Sequence, residues 1–374
     1  MTQLSDLYQI GNYIDTYALG HYARVYAATD QRTGQPCAFK VMRAEHLTDD
    51  GQPKWEAEAF INEMDLLLAL QDLPAMIQVY DCGYLETSAA HPAGGAIRSC
   101  GTDLATFRQQ FYPSLRDQWR PYLSLEWLPR GDNLLYVMKG NQGERRRLPS
   151  EEGISLALQF GQLLYRAHER NIVFMDHKLE HAYWDGQTLR VIDWNSSKRV
   201  GGMASQAPEQ QKIADIHHLC VGILYPIFTG QAPQKGSLRP QPGSQAEVEA
   251  RYENISQLDF SGDASLSQAV ITLLERGASK QIESATAFLA EVQRLAARFG
   301  WDLPAQRPSE ALLHAREQTR LGLEQLRHSQ ALARQARDYL LEASALDGIN
   351  EDMEAELRRL IAHIGDFLNH RPIP

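Results

Sequence analysis

The sequence is short of cysteine, with four in 374 residues: Cys37, Cys82, Cys100 and Cys220. No two stand at C-x-x-C spacing and none joins histidines in a zinc-finger pattern, which argues against a structural zinc site and a dithiol redox motif. A chain of this length does not need disulfide staples, so reduced, buried thiols are expected. Basic charge is lacking too. The net charge is -10, a poor match for nucleic acid or an anionic membrane surface. The one local exception, Arg145-Arg146-Arg147, reads as a solvated loop. No stretch approaches the ~20 apolar residues that span a membrane. The residues from Met1 to Asp6 lack the basic start and apolar run of a secretion signal. These absences predict a cytoplasmic protein without a membrane span.

What is present is a core. Hydrophobic residues make up 43% of the chain, too many for global disorder. At about 100–200 residues per domain, two or three structural units are expected. Residues 8–45 are dense in aromatic and β-branched residues (Tyr13, Ile14, Tyr17, Val25, Tyr26, Phe39, Val41) and read as strands, with a turn at Thr33-Gly34. Residues 52–70 switch to helical period through Phe60, Met64, Leu67 and Leu68. Residues 76–85 and 120–127 read as further strands. The insertion between them, about 86–119, opens as a loop and continues as a helix through Leu104, Phe107 and Phe111. An amphipathic helix is expected over 151–170 with Ser150 as N-cap, then short strands near 171–175, 182–184 and 189–193. Helices follow at 211–228, 264–276 and 284–298, and the Gly/Pro/Ser/Gln-rich stretch 230–246 is read as a loop. Residues 309–345 predict one helix of about 55 Å. Asp347-Gly348-Ile349-Asn350 breaks it, and Met353, Leu357, Leu360, Ile361, Ile364 and Phe367 line one face of a second helix. The tail is therefore expected to be a helical hairpin.

Chemistry-bearing residues come in a fixed order. Lys40 lies on a strand in Cys37-Ala38-Phe39-Lys40. Glu63 follows on a helix, in Phe60-Ile61-Asn62-Glu63-Met64. After the amphipathic helix comes Asp176-His177-Lys178-Leu179-Glu180-His181. Seventeen residues beyond Asp176, Asp193 ends an apolar strand in Val191-Ile192-Asp193-Trp194-Asn195. Ala207-Pro208-Glu209 and Asp215-Ile216 complete the series. Each residue alone is ordinary; the order resembles the protein-kinase superfamily over roughly residues 10–300, in the manner of divergent bacterial eukaryotic-like Ser/Thr kinases.

That resemblance implies an α+β, two-lobed fold: an N-lobe over 1–128, a C-lobe over 129–300, and a separate helical tail over 305–374. It implies ATP and Mg²⁺, or Mn²⁺, as cofactors. Lys40 would hold phosphates and pair with Glu63. Val25 and Ala38 would flank adenine. Glu126 and Leu128, in Ser124-Leu125-Glu126-Trp127-Leu128-Pro129, would form the hinge that binds it. Asp176 would take the acceptor proton and Lys178 would neutralise the γ-phosphate. Asp193 would hold the metal, and Asp215 would structure the catalytic-loop backbone. The implied activity is γ-phosphate transfer to a Ser/Thr hydroxyl.

The sequence also departs from the family. Leu19-Gly20-His21-Tyr22-Ala23-Arg24-Val25-Tyr26 keeps one glycine, Gly20, of the phosphate-covering loop. His181 stands where the family has a metal-binding asparagine; as a neutral imidazole it would be a metal ligand. Glu180 reads as a surface carboxylate, with a compensating metal ligand as the alternative. Phe174-Met175-Asp176 lacks the arginine that docks a phosphorylated activation segment, and the short segment before Glu209 holds Ser196, Ser197 and Ser205 but no Thr or Tyr. Activity is thus expected not to depend on activation-segment phosphorylation. Trp194 is expected to stack on Phe174, Asn195 to take a left-handed turn, and Lys280 to pair with Glu209. The alternative is a pseudokinase scaffold whose tail binds a protein partner or a second copy.

Overall fold

The computed structural model describes residues 1–14, 22–49, 52–140, 145–201, 207–233, 244–261, 265–301, 309–346 and 351–369. Gly20, most of the 230–246 stretch and the 347–350 helix break lie outside them. The fold is mixed α+β. Strands β1 (Tyr8–Tyr13), β2 (Ala23–Asp30), β3 (Pro36–Met42), β4 (Val79–Leu85), β5 (Ile97–Gly101) and β6 (Arg120–Glu126) form one antiparallel sheet in the order β1-β2-β3-β6-β4-β5.

Period-two alternation explains why β3 is central. Cys37, Phe39 and Val41 enter an apolar cluster with Tyr8, Tyr26 and Tyr122 on one face. Ala38 and Met42 join the main core on the other, and Lys40 shares their face. The main-core face is covered by α1 (Trp55–Leu70), which buries Phe60, Met64 and Leu67. Each such side chain contributes roughly 1.5–3 kcal/mol. β5 is a strand the sequence did not announce. Its five residues, Ile97-Arg98-Ser99-Cys100-Gly101, have no alternation, and pairing with β4 creates it. The expected helix follows as α2 (Leu104–Arg116), capped by Asp103.

The rest of the chain is mainly helical. α3 (Ser150–Glu169) begins on Ser150, with Pro149 rather than Ser150 in the capping position. Short strands β7 (Ile172–Val173), β8 (Ala182–Trp184), β9 (Leu189–Val191) and β10 (Lys198–Arg199) pair as β8–β9 and β10–β7. α4 (Ala207–Leu219) runs through a π-helical turn at Cys220–Leu224 into α5 (Tyr225–Thr229). Then come α6 (Gln245–Glu249), α7 (Gln268–Ala278) and α8 (Ala285–Arg298). Sheet and helices meet through the Val191 amide on the Ala75 carbonyl (2.8 Å), Asn62 Nδ2 on the Ser197 carbonyl (2.7 Å) and Arg170 on Asp72 (2.7 Å).

The tail is α9 (Glu310–Ser344, 35 residues) packed against α10 (Glu351–Leu368). Ion pairs join it to α3. Arg316 forks onto Glu151 (Nε–Oε2 2.8 Å, Nη2–Oε1 2.6 Å), and Arg320 binds the buried Glu152. Of the apolar face expected on α10, Leu357 is buried, whereas Met353, Leu360 and Phe367 are exposed. Among the described residues no helix is long and apolar enough to cross a membrane.

Candidate active site

One cleft between the sheet and the helical part gathers most of the residues singled out in the sequence. Ile14, Val25, Ala38, Leu125, Leu128 and Ile192 form its apolar walls. Lys40, Glu63, Asp176, Lys178, Glu180, His181 and Asp193 form its polar end. Glu126 also reaches the cleft, but its carboxylate is engaged by the Gln78 amide (3.2 Å) and Arg190 (3.3 Å). Gly20 lies outside the described residues.

The centre of the polar end is Lys40. Its Nζ donates to Glu63 Oε1 (2.8 Å) and Oε2 (2.7 Å) and to Asp193 Oδ1 (2.8 Å). Burial opposes the Lys40 charge, but Asp193 and Glu63 outweigh it and hold the ammonium above its usual range. Asp193 is held well below the carboxylate range: burial works against this, and Lys40 and His181 overcome it. Glu63, almost inaccessible, is pushed up by burial. The left-handed turn falls on Asp193 itself (φ 63°), not on Asn195; Asn195 Nδ2 instead donates to Asp193 Oδ1 at 2.6 Å. An L-residue held there is strained, and persists only because its surroundings fix it. Here Lys40 and Asn195 do so.

The loop carrying Asp176 is suspended from Asp215 on α4. This fully buried carboxylate accepts the Phe174 amide (2.9 Å), the Met175 amide (2.7 Å), His168 Nε2 (2.9 Å) and His177 Nε2 (2.8 Å). The π-helical turn lies directly beneath. A Cβ on Gly222 would come within 2.3 Å of the His177 carbonyl oxygen, so only glycine permits this approach. Trp194 meets Phe174 with ring centroids 4.7 Å apart at 52°, a tilted contact rather than the expected stack. Glu209 pairs with Lys212 (3.0 Å), not with Lys280.

His218 supports the same loop, donating from Nδ1 to the Met175 carbonyl at 2.7 Å. Burial pushes its imidazole down to about 4, against the upward pull of that bond. An unfolded histidine titrates near 6.5. Above that pH both states are neutral and stability is complete. As pH falls toward 4, only the unfolded state takes up the proton, so stability declines by about 3 kcal/mol. Urea denaturation at pH 7 and pH 4.5 measures this loss. His218→Gln is expected to shrink the difference, and an unchanged difference would refute the assignment.

His181 sits between two acceptors. Nδ1 faces the Asp176 carbonyl (2.9 Å) and Nε2 faces Asp193 Oδ2 (3.2 Å), and both partners only accept. Each nitrogen therefore carries a proton. Burial disfavours that charge, yet Asp176 and then Asp193 raise the imidazole to about 10. Among the described residues no group of three or more His, Cys, Asp or Glu side chains is arranged to hold a metal ion. Asp193 remains the carboxylate that fits a magnesium carried in by a nucleotide, since that ion takes one or two carboxylates and draws its other ligands from phosphates and water.

Two further residues belong to the site, one read from the sequence as facing solvent and the other missed by it. Glu180 is half-buried and lines the cleft, and burial pushes its carboxyl up. Arg251 reaches Asp176 Oδ1 through Nη1, while Lys178 Nζ takes Oδ2 at 2.9 Å. Arg251 lies 75 residues from its partner, beyond any local spacing rule. A scan against protein-family models matches none of them, and a search of curated proteins finds no similar sequence.

Proposed function

We propose that the chain is a two-lobed, protein-kinase-like phosphotransferase that moves the γ-phosphate of ATP to a Ser/Thr hydroxyl. The observation that carries this reading is the Lys40 triad. A cation buried at the polar end of an apolar-walled cleft is held between Glu63 and Asp193, opposite Asp176 and Lys178. The apolar walls suit a purine, and the polar end suits its phosphates. Lys40 would neutralise phosphate charge, and Asp193 would hold the magnesium, which supplies further charge neutralisation when bound. The acceptor oxygen attacks the γ-phosphorus as the bond to the β–γ bridging oxygen breaks. ADP leaves with that electron pair, and Asp176 takes the hydroxyl proton. Lys178 lies beside Asp176 to balance the developing charge.

The test is labelling with γ-labelled ATP and Mg²⁺ or Mn²⁺, using the chain beside Asp176→Asn and Asp193→Asn. Loss of labelling in both variants supports the reading. Labelling that persists in both, or is absent from all three proteins, overturns it. A second reading, a scaffold that binds nucleotide without catalysis, draws on the exposed Leu332, Tyr339, Leu346, Met353 and Phe367 of the tail as a surface for a protein partner or a second copy. Thermal stabilisation by ATP without any phosphotransfer would favour it.

A further inference from the structure

We propose that the hollow between α9 and the Arg145–Arg147 segment binds a small oxyanion of the phosphate class, at a site separate from the cleft. The three arginines were expected to form a solvated loop, and they do not. Arg147 is buried, with Nη2 on Ser265 Oγ at 2.7 Å. Arg146 is half-buried, with Nε on the Val137 carbonyl (2.8 Å) and Nη1 on Glu317 (3.2 Å). Of the three, Arg145 alone is exposed. Their backbone lies against Gly230 (φ 66°), where a Cβ would come within 2.7 Å of the Arg145 carbonyl oxygen. The segment is thereby held in place beside the tail.

On α9, Arg316, Arg320, Leu323, Arg327, Gln330 and Arg334 are spaced by three or four residues and so share one side of the helix. Each arginine of this stripe has an acceptor. Arg316 takes Glu151 (2.6 Å), Arg320 takes Glu152 (3.1 Å), Arg327 takes the Arg145 carbonyl (2.6 Å) and Arg334 takes the Ser261 carbonyl (3.1 Å). Gln330 is 6% exposed, yet its amide has no hydrogen-bond partner among the described residues. Leaving such an amide unmatched in the interior is unfavourable. Gln330 lines the hollow together with four arginines (Arg145, Arg146, Arg147, Arg327) and one carboxylate, Glu324. The lining is therefore cationic, and Arg327 meets a carbonyl there rather than a carboxylate. An oxyanion answers both features, because its oxygens accept from guanidinium groups and from the amide Nε2 together. A neutral ligand would satisfy the amide and leave the charge. The hollow measures about 20 Å³, more than one water molecule needs and far less than a nucleotide requires. A single phosphate group fits that scale, and bound there it would bridge the tail to the helical part.

Isothermal titration of the full chain with inorganic phosphate, at constant ionic strength, tests this. Saturable binding of one phosphate at this site is expected. Gln330→Leu and Arg327→Gln should each weaken it about tenfold, the worth of one hydrogen bond to a charged group. Gln330→Glu is the sharper variant. It supplies the hollow with a permanent anion, so it is expected to abolish phosphate binding there and to raise the unfolding midpoint measured without phosphate. Because Lys40 also suits phosphate, the titration is repeated on the chain carrying Lys40→Met with Glu63→Gln, where binding at the tail should keep its affinity. O-phosphoserine is the second probe: competition with phosphate identifies a phosphoryl group carried on a larger molecule, and no competition identifies the free ion. Unfolding midpoints show that each variant is folded. No saturable binding by the wild-type chain, or binding that survives Gln330→Glu and disappears with Lys40→Met and Glu63→Gln, overturns the assignment and leaves the phosphotransferase reading untouched.

Discussion

Replacing Lys40 by methionine is expected to abolish ATP-dependent thermal stabilisation and to lower phosphotransfer by about 100- to 1000-fold, the usual cost of losing one buried charge-stabilising donor. The same change has a separate effect on the fold. Glu63 is 1% exposed and loses its partner, and Asp193 loses one of two cations. Breaking one side of a buried pair costs about 3–5 kcal/mol. Neutralising the stranded charge separates the two effects. Lys40→Met with Glu63→Gln is expected to recover most of the unfolding free energy and none of the activity. If the single variant keeps the wild-type response to ATP, the cleft does not bind nucleotide through this triad. If the double variant regains activity, Lys40 is structural only.

Arg320→Ala is expected to cost about 3–5 kcal/mol in urea denaturation, an unusual penalty for a residue in a tail. Its partner explains the size. Glu152 is fully buried in α3 and already accepts Trp184 Nε1 at 2.8 Å on Oε1, while Arg320 Nε lies 3.1 Å from Oε2. Without Arg320 a buried carboxyl group is left without its cation. Glu152→Gln in the same chain is expected to return most of the loss. Arg358→Ala is the control, because its pair with Glu354 joins exposed side chains one helical turn apart and should be worth about 0.5 kcal/mol or less. Equal effects at Arg320 and Arg358 would mean that α9 is loosely attached. A large effect at Arg320 alone makes the tail part of the fold, so that deleting it would damage the helical part and could not be read as loss of a partner-binding appendage.

Much of the cleft was legible through the family resemblance, and local patterns placed its residues on regular elements. Lys40 is placed by strand alternation, with Ala38 and Met42 sharing its face and Cys37, Phe39 and Val41 on the other. Glu63 follows from helical period beside Phe60 and Met64. The apolar run Val191-Ile192 ending on Asp193 places a carboxylate at a strand end. The helices over 150–169, 285–298 and 310–344 announced themselves by periodicity and by the absence of proline, and the α+β character followed.

What stayed illegible depends on partners far away in the chain. β5 is a strand only because β4 offers it a ladder. The charge on His181 comes from meeting Asp176 and Asp193 together, which residue type alone does not reveal. The left-handed residue is Asp193 rather than Asn195 because Lys40 and Asn195 hold its carboxylate in place, outweighing the intrinsic preference of asparagine. The tail was legible as two helices, but not that it docks through Arg316 and Arg320, since charged positions on a long helix read as solvated until Glu151 and Glu152 are brought beneath them. Arg251 is the extreme case. By itself the sequence determined which carboxylates and lysines stand on regular elements, because alternation and helical period are local properties of the backbone. Tertiary structure alone decided which cations sit on Asp176, because burial and charge pairing are settled only when distant segments exclude water from the same place.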